Sequence, residues 1–147
     1  MTIRSFQQQD FFRILDIYAH SKLDELIFES NKFILIPLDQ DQKRLKVFKA
    51  SQVFVYEEQD ICGYLALDNF EISSLFVHAN HRGQGIGAAL LNFALTKIQY
   101  NASLHVVSSN IPAKNLYIKQ GFKKTEEFVA QYNGVDVQVD KMIHQSG

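Results

Sequence analysis

The sequence predicts an α/β (α+β) fold: a mixed, mostly antiparallel sheet with helices on both faces. Three observations predict it. Strand-like and helix-like runs alternate along the chain, three short strands form a meander before its midpoint, and two more strands close it across Asn133-Gly134, a dipeptide suited to a tight hairpin turn. With 147 residues, 46% of them hydrophobic, the chain can bury one good core and is too short for two ordinary domains. Residues 1–147 are therefore expected to form a single domain.

Residues 2–6 read as a first strand, and Asp10 as the cap of a helix carrying Phe11, Ile14, Leu15 and Tyr18 on one face. Residues 21–49 show helical patches at 23–28 and 39–48, with Pro37 interrupting them. Residues 52–56 and 61–67 predict a hairpin around the polar turn 57–60, and residues 71–77 a third meander strand. After a glycine-dense turn come a helix (88–99), a strand (104–108), a helix (112–120) and two terminal strands (122–132 and 135–142). If the chain forms a homodimer, the last of these is the strand expected to pair across it.

No run approaches the length needed to cross a bilayer, and the N-terminal MTIRSFQQQD lacks the apolar centre of a signal peptide. The expectation is a cytoplasmic protein that does not engage membranes. Cys62 is the only cysteine, which excludes an intramolecular disulfide and fits a reducing compartment. Its place in a strand-like run reads as burial of a small hydrophobe.

The chemistry concentrates in residues 81–89, HRGQGIGAA, which link the apolar run 72–77 to the apolar-periodic stretch 90–98. A strand that delivers a glycine-rich turn to a helix start suits an anion, because the first helical N–H groups lack backbone partners and carry the positive end of the helix dipole. The ligand expected there carries phosphate. Charge is distributed accordingly: residues 72–125 contain no Asp or Glu, while Arg82, Lys97, Lys114, Lys119, Lys123 and Lys124 add six positive charges. The rest of the chain holds nine basic against sixteen acidic residues, a net charge of −7. Such a division suits an anionic cofactor beside a cationic substrate.

Among phosphate-binding motifs, a P-loop requires Lys-Ser or Lys-Thr after its last glycine, and here Gly87 is followed by Ala88 and Ala89. Residues 83–88 fit the dinucleotide pattern G-x-G-x-x-A, but the acid that would hold the ribose about 20 positions later is missing. The motif also follows an antiparallel meander, whereas the dinucleotide motif normally opens a parallel βαβ unit.

What remains resembles the GCN5-related N-acetyltransferase (GNAT) superfamily. Its pyrophosphate loop is Arg or Gln, two residues, Gly, one residue, then Gly or Ala, and Arg82-Gly83-Gln84-Gly85-Ile86-Gly87 meets it in full. A second landmark follows the next strand, where Asn110, Ala113, Tyr117, Gly121 and Phe122 stand in the family's order. The resemblance spans residues 2–142 and is sharp over 71–122. It implies a six- to seven-stranded sheet with splayed central strands, and acetyl-CoA as co-substrate.

The resemblance also implies roles for individual residues. Backbone amides from Gly83 to Gly87, with Gln84 and Ile86 between the glycines, would cradle the CoA pyrophosphate, and Arg82 would either order the loop or neutralise phosphate. Leu75, Phe76 and Val77 would offer backbone groups to pantetheine while their side chains pack the core. An N–H of Phe76 or Val77 would stabilise the oxyanion. Asn110 and Ala113 would border the cofactor, although a plain helix N-cap reads equally well for Asn110. Tyr117 would donate a proton to the departing thiolate, its bland alternative being an aromatic packed on the sheet. Glu71, at the start of the thioester-bearing strand with Ser73 on its face, is the candidate general base through a water relay, with ordered water alone as the alternative. Glu57, Glu58 and Asp68 are weaker candidates.

The five histidines, His20, His78, His81, His105 and His144, show no spacing that suggests a metal, and His78 and His81 are expected to be exposed loop residues flanking the cofactor turn. A slightly acidic chain argues against nucleic acid as a partner. Asp24, Glu25, Glu29, Asp39 and Asp41, interleaved with Phe28, Phe33 and Phe48, favour a cationic amine acceptor, while a solvated helix face explains the same acids. The function expected is direct transfer of an acetyl group from acetyl-CoA to a primary amine of a small molecule or peptide. The alternative is a non-catalytic acyl-CoA-binding regulator that acts through a protein partner.

Overall fold

A computed structural model describes residues 2–145. In chain order the elements are β1 (Thr2–Ser5), α1 (Phe11–Glu25), α2 (Gln42–Ala50), β2 (Gln52–Glu58), β3 (Asp60–Asp68), β4 (Glu71–Val77), α3 (Ile86–Lys97), β5 (Ser103–Val107), α4 (Ile111–Lys119), β6 (Phe122–Tyr132) and β7 (Val135–His144). Single 3-10 turns at Gln8–Asp10, Leu38–Gln40 and Ala79–His81 lead into α1, α2 and the glycine loop. The seven strands form one sheet in the order β1-β2-β3-β4-β5-β7-β6, antiparallel throughout except for β4 and β5.

Alternating side chains divide the core between the two faces of the sheet. On one face, Leu65, Leu67, Ile72, Leu104 and Met142 pack against Ile86, Leu90, Leu91 and Ala94 of α3. On the other, Val53, Val55, Tyr64 and Ala66 meet Ile14, Ile17 and Tyr18 of α1 and Phe48 of α2. The expected placement of helices on both faces follows from this alternation. Cys62 is the extra residue where the β2–β3 register slips between Tyr56 and Glu57, and its fully buried side chain joins the α3 face.

Several local expectations are corrected. Asp10 does not cap α1 with its side chain; it ends the preceding 3-10 turn, where its carboxylate accepts from Gln7 N at 2.7 Å and from both terminal guanidinium nitrogens of Arg4. The patch at 23–28 is the end of α1 and its exit turn, not a separate helix. Helix α3 starts two residues earlier than expected, because Gly85 takes a left-handed conformation (φ 81°) that sets Ile86 as the first helical residue. The turn at Asn133-Gly134 has both φ angles positive (50° and 77°), as a two-residue hairpin requires. Strand β7 lies between β5 and β6, so the C-terminal strand is not available to pair with a second copy; the sheet edge on that side is β6.

Candidate active site

The fold positions its site by parting two strands. β4 and β5 pair in parallel only at Glu71↔Ser103 and Ile72↔Leu104, and beyond Ile72 the two strands diverge. That splay opens a cleft of about 680 Å³ on the α3 side. Its walls come from Leu75, Phe76 and Val77 of β4, from the glycine loop, and from Asn110, Ala113 and Tyr117 across the gap. These side chains keep their packing roles as well: Leu75 and Val77 lean on the α3-side core, while Phe76 stacks edge-on with Tyr18 and Tyr64 at ring distances of 6.0 and 5.6 Å.

At the end of the splay the chain turns through Gly83 (φ 77°) and Gly85 (φ 81°), conformations that L side chains rarely adopt. The first helical bond of this turn runs from Ala89 N to Gly85 O at 3.0 Å, so the amides of Ile86, Gly87 and Ala88 precede it at the open helix end. A Cβ on Gly87 would touch Leu116 and Val77 at 3.5 and 3.7 Å, so this glycine sits where α3, α4 and β4 converge. Gln84 is exposed and is not among the residues lining the cleft.

Arg82 is fixed from two sides. Its Nε donates to Val77 O at 3.2 Å, and its guanidinium pairs with Asp24 of α1. Arg82 is thereby held against the end of β4, and Asp24, read from the sequence with the acidic segment, is engaged at the glycine-loop end of the cleft. The neighbouring acids are engaged as well: Glu25 with Lys22, Glu29 with Ser109, Asp41 with Arg44. The aromatics expected beside them scatter: Phe48 is core, Phe33 packs near Tyr132, and Phe28 lines the cofactor cleft.

The basic segment 72–125 is also redistributed. Lys114 and Lys124 both reach the fully buried Asp140, at 2.7 and 3.4 Å, and Lys97 lies over the rings of Phe54 and Phe93. Burial alone would raise the Asp140 pKa, but hydrogen bonds from Lys114 and Ser108 hold it below its usual value. Of the six cations, Arg82 alone lines the cleft, so backbone amides carry most of the anion-binding potential there. Asp140 and Lys114 instead tie α4, and with it Tyr117, to the sheet.

Tyr117 is half-buried in the cleft with its ring 5.9 Å from that of Phe122. Burial, and secondarily Glu25, push its pKa well above the usual phenol value of 10.0, which keeps the hydroxyl protonated. Asn110 holds the N-cap position of α4, its carbonyl accepting from Lys114 N at 3.1 Å, while its side chain makes no capping bond and lines the cleft. His81 also borders the cleft. His78, expected to be exposed, is buried: its ring accepts from Asn80 N at 3.1 Å and lies 3.2 Å from Asp16.

Glu71 lies elsewhere. It borders a second cavity of about 510 Å³ on the α1–α2 side of the same splay, which shares Ser73, Ser74, Phe76, His105 and Val106 with the cofactor cleft. Its Oε1 is 3.2 Å from Nδ1 of His105, a contact no sequence spacing announced. Tyr18 also faces this cavity, and its buried hydroxyl has no hydrogen-bond partner among the described residues.

A glycine-looped helix start stands beside two parted parallel strands, with a cavity opening on either face of the splay. Residues 49–124 match the acetyltransferase (GNAT) domain family, and the chain belongs to that family. Over 73 residues, half of this chain, it is 34% identical to the peptidyl-lysine N-acetyltransferase YjaB of Salmonella typhimurium, and the match covers half of that relative's own length. Among solved structures, a GCN5-related N-acetyltransferase from Rhodopseudomonas palustris aligns over 98% of this chain and 94% of its own, with a TM-score of 0.79 at 14% identity. The acetyltransferase yncA of Salmonella typhimurium, solved with its cofactor acetyl-CoA, aligns over 100% and 94% with a TM-score of 0.75 at 22% identity. The expected fold, including the splayed central strands, is the one observed.

Proposed function

We propose that this chain, acting as one domain, transfers the acetyl group of acetyl-CoA directly to a primary amine of a small molecule or peptide. The observation that carries the reading is the cleft between β4 and β5, bounded by a left-handed glycine loop and lined by the half-buried phenol of Tyr117. The amides of Gly83 to Gly87, including those of Gln84 and Ile86, hold the pyrophosphate, and Arg82 keeps the loop in shape. Pantetheine runs beside Leu75, Phe76 and Val77, whose unpaired edge past Ile72 offers an N–H to the developing oxyanion. Asn110 and Ala113 line the far wall, and Tyr117 protonates the leaving thiolate. The amine enters from the α1–α2 side, where Glu71 lines the cavity and serves its deprotonation.

A lysine-bearing peptide is the first acceptor to try, since the 34% identical relative is named for that substrate. Thiol release from acetyl-CoA, followed with lysine peptides and a panel of small primary amines, tests the function. Amine-dependent release with an N-acetylated product is the expected result. Tight acetyl-CoA binding without transfer to any amine would leave a regulator in place of an enzyme.

A further inference from the structure

Two titratable side chains, Glu25 and His105, line both the cavity on the α1–α2 side and the cofactor cleft, and Glu25 is already engaged by Lys22. His105 lines both spaces, whereas Glu71 lines only the second. The two residues come from neighbouring strands where these part, Glu71 from the first β4–β5 pair and His105 one residue past Leu104 of the last, and Glu71 Oε1 sits 3.2 Å from His105 Nδ1. The imidazole is further held edge-on against Phe128 at a ring distance of 5.2 Å. Both members stay accessible, with side-chain exposures of 45% for His105 and 37% for Glu71.

We propose that His105 is the group that takes the proton from the acceptor ammonium, and that Glu71 is a positioning residue that acts through it. The inference rests on the acetyltransferase reading above. With the Glu71 carboxylate facing Nδ1, the proposed tautomer is Nδ1–H, which leaves the Nε2 lone pair free. An ammonium has no lone pair and cannot attack a thioester. Its first proton passes to Nε2, directly or through one water, and from the imidazolium to solvent. The freed nitrogen then bonds to the carbonyl carbon, and the C–S bond breaks. The second proton, released as the amide forms, balances the one that Tyr117 gives to the thiolate.

The charges around the imidazole come from every packed element. Glu71 faces it from β4, Lys141 is its register partner on β7, and Glu126 on β6 pairs with Lys141 in turn. Lys22 and Glu25 from α1 and Lys43 and Arg44 from α2 line the cavity opposite. Only the Glu71 carboxylate contacts the ring as an ion-pair partner among the described residues.

Two measurements test this. Nitrogen-15 spectra of the full-length protein report the His105 tautomer without any acceptor; the expected result is the Nδ1–H form in the parent and a smaller share of it in Glu71→Gln. In the second, acetyl transfer is followed at pH 7 to a lysine peptide, which is cationic, and to hydroxylamine, which is already neutral. His105→Gln should lower kcat/KM for the peptide by about 10²-fold, the usual scale of general-base loss, and for hydroxylamine at least fivefold less. An Nε2–H tautomer in the parent, a tautomer balance untouched by Glu71→Gln, or equal losses with both nucleophiles would overturn the assignment. A parent protein that binds no acetyl-CoA would instead remove the acetyltransferase reading, and this inference with it.

Discussion

Tyr117 and Arg82 make different demands on the fold. The phenol needs a dry wall that keeps its proton in place, and half-burial supplies that by pushing its pKa above the usual range. Tyr117→Phe should therefore lower turnover by about one to three orders of magnitude while acetyl-CoA affinity stays near the parent value. Steady-state kinetics beside calorimetry checks this; parent-like turnover with chemistry limiting would take the phenol out of the reaction. Arg82 needs a partner, and its partner is Asp24, 58 positions away in sequence. Removing that carboxylate in Asp24→Asn should raise the KM for acetyl-CoA by about two- to fivefold, as expected for a partly exposed ion pair, and should leave the acceptor KM in place. Acid composition had suggested the reverse, with Asp24 and Glu25 steering the amine. The places of Arg82, Tyr117 and Asn110 on the cleft wall were legible because each sits at a fixed offset in a motif. Asp24, His105 and Asp140 were not, since their meaning lies in a contact that only the folded sheet creates.

Strands announced themselves more clearly than their pairing. The apolar run within residues 71–77, bounded by the polar turn before it and the glycine-rich turn after it, placed β4 to the residue. The parting of β4 from β5 left no mark in that pattern and was legible only through family resemblance. The bulge at Cys62 was equally silent, and it has a consequence one residue later. A Cβ on Gly63 would lie 2.8 Å from Phe76 O and 3.2 Å from Leu90 Cδ1, and the first of these is backbone that cannot swing aside. Gly63→Ala should cost about 1–3 kcal/mol of stability by overpacking. A shifted urea midpoint with unchanged slope is the expected signature; a midpoint equal to the parent's would show that β4 yields at this point.

For the molecule as a whole, a formal net charge of −1 conceals strong local pairing. Asp10 and Asp140 both have pKa values held below the usual 3.8, Asp10 chiefly by hydrogen bonds from Arg4, and Asp140 by Lys114 and Ser108 against the cost of burial. A carboxylate with a depressed folded-state pKa adds stability that is complete above the unfolded value and is lost as pH falls through the folded one. Stability should therefore drop below about pH 4. Asp140→Asn should lose about 1–3 kcal/mol at neutral pH and show a shallower acid decline, read from urea midpoints between pH 2 and pH 7. An unchanged acid slope would mean that Asp140 contributes nothing to it. The central claim, that the splayed cleft and its glycine loop hold acetyl-CoA, is tested most directly by calorimetric titration of acetyl-CoA into the parent protein and into Gly85→Glu. Gly85 has φ 81° and open space around its Cβ position, so the substitution places strain and a negative charge at the helix start without filling the core. The account predicts one site in the parent and loss of binding in a variant whose circular dichroism matches it; equal affinity in the two folded proteins would contradict it.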